Sequence, residues 1–129
     1  MNALLTRNVR VRTPSGLVPF EALAEGCSVI SFDGDNICTD VIVSISAETV
    51  SESATEIGTD HDDALLYMVS PVAIGDTIDE IGDDMVSVKP SSIRSMHRTK
   101  YDDIVFKVVT KNHNRIFVGD DGKILISVG

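Results

Sequence analysis

The 129-residue chain has no Trp, only six aromatic residues in all, and just two cysteines. With so few rings its core must be built from Val, Ile and Leu, and an aromatic-lined cleft of the kind that holds paired catalytic carboxylates is excluded as a design. Cys27 and Cys38 belong to no Cys-x-x-Cys or Cys/His pattern, which argues against a thiolate metal site. If "SVISFDGDNICTDVIV" is a hairpin turning at Gly34 and Asp35, Cys38 faces Ser31 and not Cys27, so a disulfide between the two is not expected. Two free thiols suggest a reducing compartment. There is no signal-like apolar segment near the start, and no run approaches the roughly 18 apolar residues of a membrane helix. These absences lead to the expectation of a cytoplasmic protein, or a virion component if the source is a phage, with no membrane partner. Also missing are a Gly-rich phosphate loop and a Gly-x-Ser-x-Gly elbow, and no cofactor is expected.

One further absence is regional. Residues 13–88 contain no Lys or Arg, yet carry 16 of the 20 acidic side chains, whereas both flanks are basic. The middle is therefore −16 and the flanks together +7, within a net charge of −9. Nucleic-acid binding is disfavoured because phosphate contact needs a positive footprint that only the flanks could offer. If the flanks meet in space, Arg7, Arg10, Arg12, Lys107, Lys111 and Arg115 should cluster there and present an interaction surface to a protein partner or a second copy.

What is present is strand signal. "RNVRVRT" alternates Val9 and Val11 with arginines, and "TPSG" follows as a turn. "VPFEALAEG" reads as a short helical turn ended by Gly26. A hairpin over "SVISF" and "ICTDVIVSISAETV" comes next. Residues 47–63 are polar and acidic and are expected to form an exposed loop or irregular hairpin tip; residues 75–84 form a second acidic turn region. "ALLYMVSPVAI" is strand-like, with Pro71 limiting it to an edge or a bulge, and "MVSVKPSSI" reads as a strand running into a short turn. "DIVFKVVT", "NRIFVGD" and "GKILISV" close the chain, the last two joined by "GDDG". With no helix beyond two turns and no repeat, a single all-β domain over residues 1–129 is expected.

Two blocks resemble a known family. "VRVRTPSGLVPFEALAEGCSVISFDGD" is similar to the opening block of the Hint superfamily, the fold of inteins, bacterial intein-like domains and hedgehog autoprocessing domains. Thr13, Pro14, Gly16, Pro19, Glu21, Leu23, Gly26, Val29 and Ser31 carry the likeness. "DIVFKVVTKNHNRIFVGDDGKILISVG" is similar to its closing blocks through Asn112-His113-Asn114 and the distance to the final strand. The matches cover about half the chain, at both ends and in the family's order. The resemblance implies a compact, pseudo-symmetric β fold with adjacent terminal strands.

It also implies where splicing chemistry would sit, and those positions are altered. The nucleophile position falls on Leu4, which cannot attack a carbonyl. The activating Thr-x-x-His would lie near "YMVSPVAI", where Ser70 and Pro71 occur without a histidine. The terminal His-Asn is replaced by Ser127 and Val128. Of the family's acid and base groups His113 alone survives, and it is expected to bond at a tight strand crossing, with Asn112 and Asn114 serving the turn. The expected function is therefore a non-enzymatic structural or interaction module on a catalytically inactive Hint-like scaffold, such as a capsid decoration or tail protein in a viral assembly. The alternatives are a divergent or inactivated autoprocessing intein-like domain, and a small β-barrel that binds a ligand or peptide. No metal is expected; Asp60, His61, Asp62 and Asp63 are weak candidate ligands without calcium-loop spacing.

Overall fold

The computed structural model describes residues 2–129 and is almost wholly β. Among the described residues, eleven strands occur in the order β1 (Ala3–Thr6), β2 (Arg10–Thr13), β3 (Gly16–Pro19), β4 (Ser28–Phe32), β5 (Ile37–Gly58), β6 (Asp63–Met68), β7 (Thr77–Ile81), β8 (Val88–Ser92), β9 (Ser95–Thr110), β10 (Arg115–Val118) and β11 (Ile124–Ser127). A 3₁₀ turn, Phe20–Ala22, follows β3.

Two sheets divide the strands between them. One runs β3-β2-β10-β11-β7-β8, and the other β4-β5-β6-β1-β9 with β9 returning to pair β5. Strands β5, β6, β1 and β9 therefore close a small antiparallel ring in which β1 has a neighbour on each side. Ring closure leaves those strands fewer free N–H and C=O groups to attract another chain. The open sheet protects its edges differently, with Pro19 at the end of β3 and Pro90 inside β8.

Alternation decides which faces are buried. Val9 and Val11, Ala3 and Leu5, and Ile124 and Ile126 all enter one core with Phe20, Leu66 and Val108. Phe20 is 1% exposed and its ring lies 5.0 Å from that of Phe106, tilted by 53°. Burying such a side chain contributes roughly 2–3 kcal/mol. A smaller cluster gathers Ile81, Phe117 and Leu125 against Ile30, Phe32, Ile37 and Val88.

The β4–β5 hairpin has the anticipated register, with Ser31 opposite Cys38, and both cysteines are free. Residues 47–63 correct the sequence expectation: most of that stretch belongs to a single strand of 22 residues. Its polar residues up to Ser53 are mostly exposed in a two-stranded ribbon with β9, whereas residues 55–58 also pair with β6, and Thr55 and Ile57 are buried. Stability comes instead from pairing across the ribbon, where Glu52, Ser53, Thr55 and Glu56 lie opposite Tyr101, Lys100, Arg98 and His97. The acidic stretch thus lies beside the basic stretch of the C-terminal flank.

Residues 75–84 are likewise not all turn. Thr77–Ile81 is strand β7, with Ile78 and Ile81 buried. Its acids hid a strand because Glu80 points inward, 5% exposed.

Candidate functional site

β1 is short, and Asn2 stands just before it. Asn2 is exposed, whereas Ala3 and Leu5 are buried. Ala3 pairs with Met68 on β6, and Leu5 with Phe106 on β9. On its other side Asn2 forms an isolated parallel bridge with Ser127 at the end of β11. First and last strands therefore adjoin at Asn2, two residues before Leu4.

The Asn2 carbonyl is the unusual group. It accepts backbone N–H bonds from Val69 at 3.1 Å and from Ser70 at 3.3 Å. Both donors lie where β6 has just ended at Met68, ahead of Pro71, which has no N–H with which to extend the ladder. Two N–H groups converging on one carbonyl oxygen polarise it and would stabilise negative charge developing there in acyl chemistry. The peptide so polarised is Asn2–Ala3.

Around this bond the side chains with chemistry are few. Ala3 offers no nucleophile. Leu4 pairs with Tyr67 and lines a shallow cavity with Ser46, Ala47, Glu48 and Lys107. Ser127 lies opposite Arg115 in the β10–β11 pair. Val128 is 4% exposed, and its N–H donates to the Asn114 carbonyl at 2.9 Å.

The Asn112-His113-Asn114 loop is held from below by Asp40, which is 1% exposed. Its carboxylate accepts from the Thr110 hydroxyl at 2.8 Å, the His113 N–H at 2.8 Å and the Asn112 N–H at 3.2 Å. Burial pushes the Asp40 carboxyl up, but these bonds and that from the Val41 N–H outweigh it and hold it below the ordinary carboxylate range. Asn114 takes a left-handed conformation, φ 50°, and exchanges bonds with Thr110. His113 thus contributes its backbone to the strand crossing, with an imidazole that is half-buried.

A second buried carboxylate, Asp62, is 6% exposed and holds the β10–β11 turn in a similar way. It accepts the N–H groups of Asp63, Asp121 and Lys123, each at 2.9 Å. Here burial dominates those three bonds, and the carboxyl is raised above its ordinary value. The other weak candidates for metal ligation diverge. Asp60 lies 3.5 Å from Arg94, His61 Nδ1 lies 3.0 Å from the Glu80 carboxylate, and Asp63 faces Gly58 across the β5–β6 pair. Among the described residues, no three His, Cys, Asp or Glu side chains are grouped so as to hold a metal ion.

Glu80 carried no motif in the sequence, yet it is a buried carboxylate bonded by His61 and by the Thr59 hydroxyl at 2.7 Å. A "TIDEI" alternation could have exposed it, since Ile78 and Glu80 share a face.

The six flanking basic residues take several environments. Arg10 and Arg12 both reach over the β10–β11 turn, Arg12 donating to the carbonyls of Asp121 at 2.6 Å and Gly122 at 3.0 Å. Arg7 bonds Asp103 on β9 at 2.7 Å and lies 3.8 Å from Glu21 in the 3₁₀ turn. Lys107 lines the cavity beside Leu4, Lys111 donates its N–H to Val41, and Arg115 faces Ser127.

Solved structures match this two-sheet architecture over nearly the whole chain. The chain is similar to a bacterial intein-like domain from Clostridium thermocellum, with a TM-score of 0.75 at 13% identity over 98% of this chain and 99% of that one. It is similar to the TvoVMA intein, with a TM-score of 0.81 at 12% identity over 95% and 96%. A DnaB intein from Synechocystis matches with a TM-score of 0.79 at 9% identity over 98% and 99%. No protein-family model matches the sequence, and no curated protein does. The fold is therefore an intein-like Hint fold.

These likenesses correct the functional expectation. The fold relatives are inteins and intein-like domains, and they cover 95% to 98% of this chain. A non-enzymatic structural module has no support among them; a divergent intein-like domain fits better.

Proposed function

We propose that the chain is a divergent intein-like autoprocessing domain whose chemistry is confined to its N-terminal junction, cleaving the Asn2–Ala3 peptide without joining the flanks. The observation that carries this reading is the Asn2 carbonyl, which receives two backbone N–H bonds at the point where the first and last strands adjoin. Joining needs a transferable acyl group on a side chain of the following residue, and Ala3 has none. At the other end, Ser127 and Val128 supply neither an imidazole nor a carboxamide to release the C-terminal flank. Cleavage at the polarised bond is what remains.

The intact mass of the chain, carrying a folded tag at each end and followed over days, tests the proposal. The expected outcome is release of the N-terminal tag and a new N-terminus at Ala3, with the C-terminal tag still attached. An unchanged mass overturns it.

A further inference from the structure

We infer that Met85, at the tip of the β7–β8 hairpin, is a site of oxidative modification, its thioether taking one oxygen from a hydroperoxide ahead of the other described methionines. The inference stands apart from the processing reading and uses none of its groups.

The turn that carries Met85 holds it against its own preference. Met85 has φ 59°, a left-handed conformation that side chains without a local hydrogen bond rarely adopt. Asn114 is left-handed too, but its side-chain oxygen accepts the Thr110 N–H at 2.8 Å. The Met85 thioether is too weak an acceptor to do the same. Its neighbours impose the conformation. Asp84 accepts the Ser87 hydroxyl and the N–H groups of Ser87 at 2.9 Å and Val86 at 3.0 Å, bonds that hold its carboxyl down at about 2. The Met85 N–H closes the turn on the Gly82 carbonyl at 3.0 Å.

Burial does not explain the residue either. Met85 is 43% exposed and Val86 beside it 71%, and neither joins an apolar core. Met68 and Met96, by contrast, are half-buried and pack against the main core. Strain that the fold does not use points to a role at the surface. What a thioether offers there, and an asparagine or glycine does not, is a sulfur lone pair open to solvent.

The step is a two-electron oxidation. The sulfur lone pair attacks one oxygen of hydrogen peroxide, an S–O bond forms and the O–O bond breaks. The departing hydroxide takes the proton of the transferred oxygen and leaves as water. Sulfur is oxidised to the sulfoxide and the peroxide is reduced. The same turn supplies Gly82, Asp83, Asp84 and Ser87 to the wall of a cavity of about 340 Å³, so the change falls beside that cavity and outside both cores.

The full chain is treated with dilute hydrogen peroxide, quenched at intervals and mapped by peptide mass, so that each methionine is followed on its own. The expected result is a gain of one oxygen at Met85 that runs to completion while Met68 and Met96 stay mostly unreacted. The circular dichroism and the thermal unfolding midpoint should not change, and amide NMR shifts should move in residues 82–87 but not in the ring of β5, β6, β1 and β9. In urea the preference should vanish, because the three side chains are then equally open. Met85→Leu should keep the fold and lose the fast addition. Oxidation of Met68 or Met96 as fast as Met85 overturns the inference, and so does loss of the fold when Met85 alone is oxidised.

Discussion

Asp40 and Asp62 sit beneath neighbouring C-terminal loops, and each gathers backbone N–H groups that have no strand partner. Asp40 secures residues 110–113 and Asp62 secures residues 121–123. Their carboxyls nevertheless shift in opposite directions, down at Asp40 and up at Asp62. The difference is a hydroxyl and a set of N–H bonds strong enough to exceed desolvation in one case, against three N–H bonds that are not in the other. Hydrogen bonding alone therefore does not make a buried carboxylate a comfortable anion; the balance with burial does.

Substitution should rank the two clasps. Asp40→Ala orphans the Thr110 hydroxyl and the loop N–H groups and is expected to cost about 4 kcal/mol, read from urea unfolding. Asp62→Ala should cost about 2 kcal/mol, because its charged form is already penalised by burial. Equal costs would break the comparison.

A glycine sharpens it. Gly119 has φ 129°, and a Cβ there would collide with the Asp62 carboxylate, whereas Gly34, at φ 106°, has open space around that position. Gly119→Ala is expected to destabilise by about 3 kcal/mol and Gly34→Ala by about 1 kcal/mol, the second reflecting backbone strain alone. Thermal unfolding of the two variants separates strain from collision.

The smallest effect is the pH dependence, and its sign differs between the sites. The Asp40 contribution is present above the unfolded carboxyl value near 3.8 and is lost as pH falls through its lower folded value. The Asp62 contribution is present below 3.8 and is lost as pH rises through its higher folded value. Unfolding free energies of Asp40→Asn and Asp62→Asn, compared with the unaltered chain across the carboxylate range, should diverge in opposite senses.

Much of the scaffold was legible because local signals and tertiary need agreed. Val9 and Val11, the Thr13–Gly16 turn, Phe20, and the Ser31–Cys38 register all follow from alternation and turn chemistry. The ribbon at 47–53 was not, because its polar residues are stabilised by a strand some fifty residues later and show no apolar period. The site was half legible. Loss of side-chain nucleophile and imidazole could be read from residue types, but the donors to the Asn2 carbonyl are the main-chain N–H groups of Val69 and Ser70, and backbone donors leave no mark in a sequence. The family resemblance put the nucleophile position at Leu4, two residues past Asn2, because spacing cannot register where a strand begins to pair.

The ring that encloses β1 also has a consequence in time. Leu5 must find Phe106 before the ring closes, and Asn2 must find Ser127 before the two chain ends adjoin. Contacts so distant in sequence form late and only after most of the chain is available. During synthesis from the N-terminus, Asn2 emerges long before Ser127, its opposite neighbour. Any reaction that depends on the finished junction is thereby postponed until the whole domain has been made, and an incomplete chain keeps its leading segment.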